Sequence, residues 1–241
     1  VAVRLDALTV DAQDPAGLAR FWGGLLGWDA VDDPHADAAL EPTDDTPFRM
    51  RFLHNDIPKS TQNRVHVEVT SETPEHQADT VARVLGLGGR HVDVGQRPEE
   101  THVVLADPEG NELCVLAAGN SFLAECGFFG DLACDGTHAV GVFWAEALGW
   151  PLVWDEGEET AVRSPTGGPK IAWGGPPLMP TTGRDRLRFD VAVDGSGADA
   201  VAEVERLEGL GARRLTEGPE ADGSWRVADV DGTEFRLLAT R

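Results

Sequence analysis

Basic residues are scarce in this chain. Of 241 residues, 20 are lysine or arginine against 42 aspartate or glutamate, a formal net charge of −22, and the only lysines are Lys59 and Lys170. A surface this negative repels phosphate backbones and anionic headgroups, which argues against nucleic-acid and membrane partners. Cysteine is scarce too. Cys114, Cys126 and Cys134 form no CxxC pair and no disulfide-rich spacing, and they read as reduced thiols. No apolar run approaches the ~20 residues of a bilayer-spanning helix, and no basic start followed by an apolar stretch marks a secretory leader. The expectation is a cytoplasmic protein. Nor do the seven histidines contain HxH or HExxH spacing, so no short motif announces a metal centre.

What the chain does have is repetition. "FWGGLLGW" at residues 21–28 returns as "FWAEALGW" at residues 143–150, 122 positions later. The same offset aligns "RVHVEV" (64–69) with "RLRFDV" (186–191), "DPEGNELCVL" (107–116) with "DVDGTEFRLL" (229–238), and Pro58 with Pro180. Matches spread over this distance indicate an internal duplication. The halves are 1–120 and 121–241, with a seam near 118–128.

The opening phrase ends a helix in both copies. Asp14 suits the N-cap, Pro15 the first helical position, and Leu18, Phe21, Trp22 and Leu25 one apolar face. Gly27 and Gly149 stand where a left-handed C-terminal residue is wanted, with Trp28 and Trp150 folding back behind them. The first half reads as a strand (Val3–Val10), this helix, and strands near Trp28–Asp32, Ala36–Glu41 and Phe48–Leu53. A second round follows: a strand at Arg64–Thr70, a helix near Pro74–Leu87, and strands near Arg90–Val94, Thr101–Ala106 and Glu112–Leu116. "DPEG" turns the chain into the last of these. The unit is βαβββ, written twice per half and four times in all.

In order and spacing these motifs resemble the vicinal oxygen chelate superfamily, and "DPAGLARFWGGLLGW", "RVHVEV" and "LADPEGNELCVL" resemble its glyoxalase-like and bleomycin-resistance-like branch. The resemblance implies an α+β fold of two tandem glyoxalase-like domains. In each, two βαβββ modules curl a mixed sheet into an open cup with helices outside, and the cup holds a small molecule, often beside a divalent metal.

Strand alternation indicates what faces such a cup. Val65, Val67 and Val69 form the face a helix must cover, which leaves Arg64, His66, Glu68 and Thr70 on the other. The last strand of the first half sets Glu112, Cys114 and Leu116 on one face. The resemblance implies metal ligands on the first strand of each module and on the last strand of the second. His66 fits one of these positions, Asp6 fits another with one residue inserted, and Cys114 stands where the superfamily carries glutamate. The equivalents in the second half are Gly130 or its neighbour Asp131, Arg188 and Arg236, and guanidiniums do not ligate metals. There Asp190 and Arg236 are expected to pair across strands, or Arg188 and Arg236 to receive a carboxylate. The other histidines read as surface or strand residues.

The leading expectation is therefore a small-molecule binder without an obligatory metal. Its ligand would lie in the first-half cup against His66, Glu68 and Glu112. The alternative is a lyase or isomerase acting beside a carbonyl, with Glu68 or Glu112 as base and a divalent ion (Zn, Ni, Mn or Fe) held by His66, Asp6 and Cys114. The tandem chain is expected to act as a pseudo-dimer or to form a homodimer, and the second half to be architectural if its own site is lost.

Overall fold

The structure, a computed structural model, describes residues 3–97, 99–180 and 185–240. Four βαβββ modules follow one another. The first is β1 (Arg4–Ala12), α1 (Pro15–Leu26), β2 (Asp29–Val31), β3 (Ala38–Glu41) and β4 (Arg49–His54). The second is β5 (Val65–Val69), α2 (Pro74–Gly86), β6 (Arg90–His91), β7 (Val103–Ala106) and β8 (Glu112–Val115). The second half repeats them as β9 (Phe129–Cys134), α3 (His138–Leu148), β10 (Leu152–Glu156), β11 (Glu159–Arg163) and β12 (Lys170–Trp173), then β13 (Leu187–Asp194), α4 (Gly197–Gly209), β14 (Arg213–Arg214), β15 (Trp225–Ala228) and β16 (Glu234–Thr240).

The helix signals act where the sequence places them. Asp14 Oδ1 accepts the Gly17 amide at 2.9 Å, Pro15 opens α1, and Gly27 closes it at φ 75°. Gly149 closes α3 at φ 66°. A side chain at either glycine would meet the left-handed penalty. Leu18, Phe21, Trp22 and Leu25 are buried, as are Val65, Val67 and Val69.

The strands form two eight-stranded mixed sheets, but each sheet takes one module from each half. One runs β14-β15-β16-β13-β1-β4-β3-β2 and the other β10-β11-β12-β9-β5-β8-β7-β6. The expectation that the two modules of a half share one cup is thus corrected in its pairing: β1 runs antiparallel to β13, and β5 antiparallel to β9. The reason is physical. Duplication gives β5 and β13 the same alternation, so local pattern specifies a module without specifying which copy completes its sheet.

Within a half, the two modules are joined by the repeated phrase itself. The Trp22 indole donates to Asp107 Oδ2 at 3.2 Å, and the Trp144 indole to Asp229 Oδ2 at 3.3 Å. Each aspartate begins its turn and also accepts turn amides, those of Glu109 and Asn111 at Asp107 Oδ1 and those of Asp231 and Thr233 at Asp229 Oδ1. A tryptophan on the first-module helix thereby locks the last turn of the second module. This explains why "FW" and the turn aspartate recur together. One continuous apolar core spans both sheets and all four helices.

Burial pushes the Asp229 carboxyl up to about 6, with the amide and indole hydrogen bonds only partly offsetting it. Its folded value lies above its unfolded one, so its contribution to stability is complete below about pH 4 and is lost as pH rises through about 6. Asp229→Asn removes that titration. Melting temperatures of wild type and variant between pH 4 and 7 should show the wild-type advantage shrinking steadily as pH rises, and a constant difference would refute the assignment.

Candidate functional site

The two sheets have opposite contents. In the first, a chain of buried ion pairs fills the concave face. The Asp190 side chain is fully buried, and its Oδ1 accepts Arg236 Nε at 2.8 Å. Its Oδ2 accepts the Thr9 hydroxyl at 2.7 Å, Arg51 at 3.3 Å and a second bond from Arg236. Arg51 continues to Asp6 at 2.6 Å and to Asp33 at 2.8 Å, and Arg4 reaches Asp6 at 2.9 Å. Arg188 is paired with Asp11 at 2.7 Å and donates to the Asp185 carbonyl. Burial pushes the Asp6 carboxyl upward, yet Arg51 and Arg4 overcome this and hold it below the ordinary carboxylate range.

Asp6, Arg188, Asp190 and Arg236 therefore share one sheet, and the Asp190–Arg236 pair forms across β13 and β16. Asp6 is not beside His66. It lies in the other sheet, spoken for by two guanidiniums, because β1 pairs with β13 rather than with β5. Arg51 and Asp33 complete the network. Their signal in the sequence is weak, since alternating arginines in "RMRF" also fit a solvated strand.

In the second sheet the cross-strand register sets two rows side by side. One runs Arg163, Lys170, Asp131, Glu68 and Cys114 across β11, β12, β9, β5 and β8. The other runs Trp154, Ala161, Ala172, Ala133 and His66 across β10, β11, β12, β9 and β5.

The first row carries the polar chemistry. One donor atom each from His66, Glu68 and Cys114 lies within 4.8 Å of the others, and His66 Nε2 is 3.5 Å from Glu68 Oε1. Asp131 faces Glu68 across the strand pair and is buried, with Oδ1 making no hydrogen bond. Burial first, then Glu68, raises the Asp131 carboxyl well above its usual range, and Lys170 offsets this in part. Burial pushes the Cys114 thiol up as well, reinforced by Glu68 and Glu112. Glu112, expected beside His66, is instead held by Lys59 at 2.5 Å and by the Asn63 amide at 3.2 Å. An imidazole, a carboxylate and a thiol this close, with an orphaned carboxylate oxygen facing them, fit a divalent cation. Bonds of about 2.0–2.3 Å place neighbouring donors about 3.5 Å apart, so modest side-chain rotation would close the set.

The second row carries the cavity. A pocket of about 470 Å³ opens over Ala133 and Ala172 between Trp154 and His66, with Phe122 and Met179 also lining it. Phe122 belongs to the segment joining the two halves and meets Trp154 edge-to-face, with centroids 5.5 Å apart. Lys170 Nζ lies 4.1 Å from the Phe122 ring centre and also donates to the Phe122 carbonyl. Leu123 packs with Val104, Cys114 and Leu116, so the joining segment covers the polar row and leaves the alanine row open. Sequence reasoning misses the pocket residues of β9–β12 as a site. One alanine on each of β9, β11 and β12 is the signal, and it becomes visible only once those strands are known to share a sheet with β5.

Removing Asp190's charge tests the contrast between the sheets. Asp190→Asn leaves Arg236 and Arg51 buried with one carboxylate fewer, which should cost about 3–5 kcal/mol. Denaturant unfolding would measure this, and a loss below about 1 kcal/mol would show that the network is not structural.

Against known proteins, the model of the glyoxalase-like domain matches residues 7–116 and again residues 128–238. Comparison with functionally curated proteins finds no match. Among solved structures, glyoxalase I from Zea mays is 12% identical, with a TM-score of 0.67 over 99% of this chain and 92% of its own. A putative dioxygenase from Bacillus subtilis subsp. subtilis str. 168 is 15% identical, with a TM-score of 0.57 over 99% of this chain and 86% of its own. At these identities the likeness is one of fold. No helix among the described residues is long and apolar enough to cross a membrane. With both halves matched, the chain belongs to the glyoxalase-like domain family of the vicinal oxygen chelate superfamily, as a tandem pair of domains.

Proposed function

We propose that the protein binds a small organic molecule in the cup formed by β5 and β9–β12, and does so without an obligatory metal. The observation that carries this reading is the pocket of about 470 Å³, floored by Ala133 and Ala172 and ending at His66. Small-molecule sites combine an apolar cavity of this size with a few directed polar groups. The cup expected within the first half becomes a cup shared by both halves, with His66 from one and the floor from the other. The ion-paired sheet is the architectural partner. Its carboxylates are paired with guanidiniums of the same sheet, and Arg188 Nε is a buried donor there without a partner among the described residues.

A specific observation supports a second reading, a lyase or isomerase acting beside a carbonyl. His66, Glu68 and Cys114 converge, and Asp131 Oδ1 is orphaned opposite Glu68. These residues would hold a divalent ion, which when bound supplies the positive charge an enolate oxygen requires. Of the two carboxylates offered as base, Glu112 is engaged by Lys59 and Glu68 is the one beside His66. Asp6 has no part in this set.

Two measurements separate the readings. Ligands from a small-molecule library should quench tryptophan fluorescence with about one molecule per chain and no turnover. Ala172→Leu, which fills the floor, should weaken them about tenfold or more while leaving the melting temperature within a few degrees. Hits indifferent to this substitution would refute the pocket assignment. Elemental mass spectrometry of untagged protein should find less than about 0.1 equivalent of zinc, nickel, manganese or iron. About one equivalent, lost in His66→Ala and in Glu68→Gln, would establish the metal reading instead.

A further inference from the structure

Resting on the ligand-binding reading above, we propose that the pocket takes a planar, fused-ring aromatic cation. Its floor is a strip of methyl groups. Ala133 and Ala172 project from adjacent strands in register and line the cavity, Thr160 of β11 lines it beside them, and Ala161 is fully buried and outside the lining. The lining runs from Thr160 on β11 to Ala133 on β9, two strand spacings or about 10 Å. That span matches the long axis of two or three fused rings. Trp154 supplies an indole wall, fixed by its edge-to-face contact with Phe122. Met179, whose amide is held by Asp135 at 3.2 Å, lines the cavity from the 174–180 loop. A flat strip beside an indole favours a flat guest, because stacking uses the whole ring face whereas a rounded guest touches the strip at a few atoms.

The sign of the guest's charge follows from which charges around the cavity are already balanced. Arg64 is paired with Asp135 at 2.8 Å, and His66 stands beside Glu68. Of the two cations on the far side of the cup, Arg163 meets the Glu125 carboxylate and Lys170 sets its charge against Asp131, whose carboxyl it lowers. Lys170 is held by the Phe122 carbonyl and ring, and Arg163 by the Glu125 carbonyl at 2.6 Å and carboxylate at 3.4 Å. Glu159 lines the pocket, is exposed, and has no ion-pair partner among the described residues. The uncompensated charge at the cavity is therefore negative. The net charge of −22 deepens that potential, and cations are drawn in while anions are repelled. An indole wall also attracts a cationic ring more strongly than a neutral one.

The test is isothermal titration of the full chain at physiological salt with three probes: proflavine (planar, cationic), 9-anthracenecarboxylate (planar, anionic) and 1-adamantylammonium (cationic, globular). Proflavine should bind with about one molecule per chain and at least about tenfold more tightly than either other probe. Trp154→Leu, on the edge strand β10, should weaken it about tenfold, Ala172→Leu should abolish it, and Glu159→Gln should narrow its margin over the anion at least about threefold. Proflavine binding that ignores Ala172→Leu is surface adsorption by an acidic protein and overturns the proposal. Equal or tighter binding of 1-adamantylammonium, lost in Ala172→Leu, overturns the planar class and leaves the ligand-binding reading standing. The planar class is likewise overturned, and ligand binding retained, if no probe binds while a library ligand is still lost in Ala172→Leu. With neither probe nor library ligand bound, both fail.

Discussion

The antiparallel pairing of β5 with β9, mirrored by β1 with β13, is the constraint on which the rest of the molecule depends. In the second sheet β5 lies between β8 and β9, so the segment leaving β8 has to pass only one strand before the second half begins. It is fastened to β5 as it passes: Leu116 N donates to the Val69 carbonyl and Thr70 N to the Phe128 carbonyl, each at 2.9 Å. Both longer transfers between sheets fall inside the halves, after β4 and after β12. Each half thus holds one module in each sheet, and neither half closes a cup alone. Separating them would expose the edges of four central strands, a state that proteins avoid.

From this shared plan the two cups have diverged through the residues at equivalent positions. Where one carries Arg51, Asp190 and Arg236, the other carries Ala172, Glu68 and Cys114. A buried ion-pair network adds little net stability over apolar packing, but it is rigid and intolerant of single losses. It turns a concave face into a filled one. Alanine does the opposite, because a methyl group leaves the concavity open. The same backbone curvature therefore yields a plugged sheet and an open one, and the difference lies in side-chain volume and charge rather than topology.

Much of this is legible in the sequence. The βαβββ units, the helix ends at Gly27 and Gly149, the covered face at Val65, Val67 and Val69, and the placing of His66 opposite that face all follow from local periodicity. The pairing of Asp190 with Arg236 is one of two arrangements the sequence offers, the other having Arg188 and Arg236 receive a carboxylate, and it is the cross-strand register that brings the pair together. Pairing between halves is another matter. Duplicated strands offer two chemically equivalent partners, and no local pattern distinguishes them. For that reason the sequence alone sets Asp6 among the wrong neighbours and does not assemble the alanine floor at all. The last strands of the first half are also shorter than their apolar content suggests: β6 spans only Arg90–His91. The turn aspartates show the reverse case. Their local pattern marks them only as turn residues, yet each also receives an indole from a helix about 85 positions earlier in the chain, a long-range bond that local turn rules do not contain.

The position of the joining segment links the two readings of the open cup. By covering Cys114 and the strands beside it, Phe122 and Leu123 remove water from a region that holds Glu68 and Asp131 face to face. Burial and the neighbouring Glu68 favour the neutral form of the Asp131 carboxyl, and Lys170, turned toward the Phe122 carbonyl, offsets this only in part. The balance comes either from a proton on Asp131 or from a cation. In the first case the polar row is a closed, neutral base under an apolar pocket, and a ligand meets it only at His66. In the second the same buried negative charge becomes the affinity for a metal. Both readings are thus ways of satisfying one electrostatic demand, and that demand exists because the chain uses its own linker as part of the cup wall.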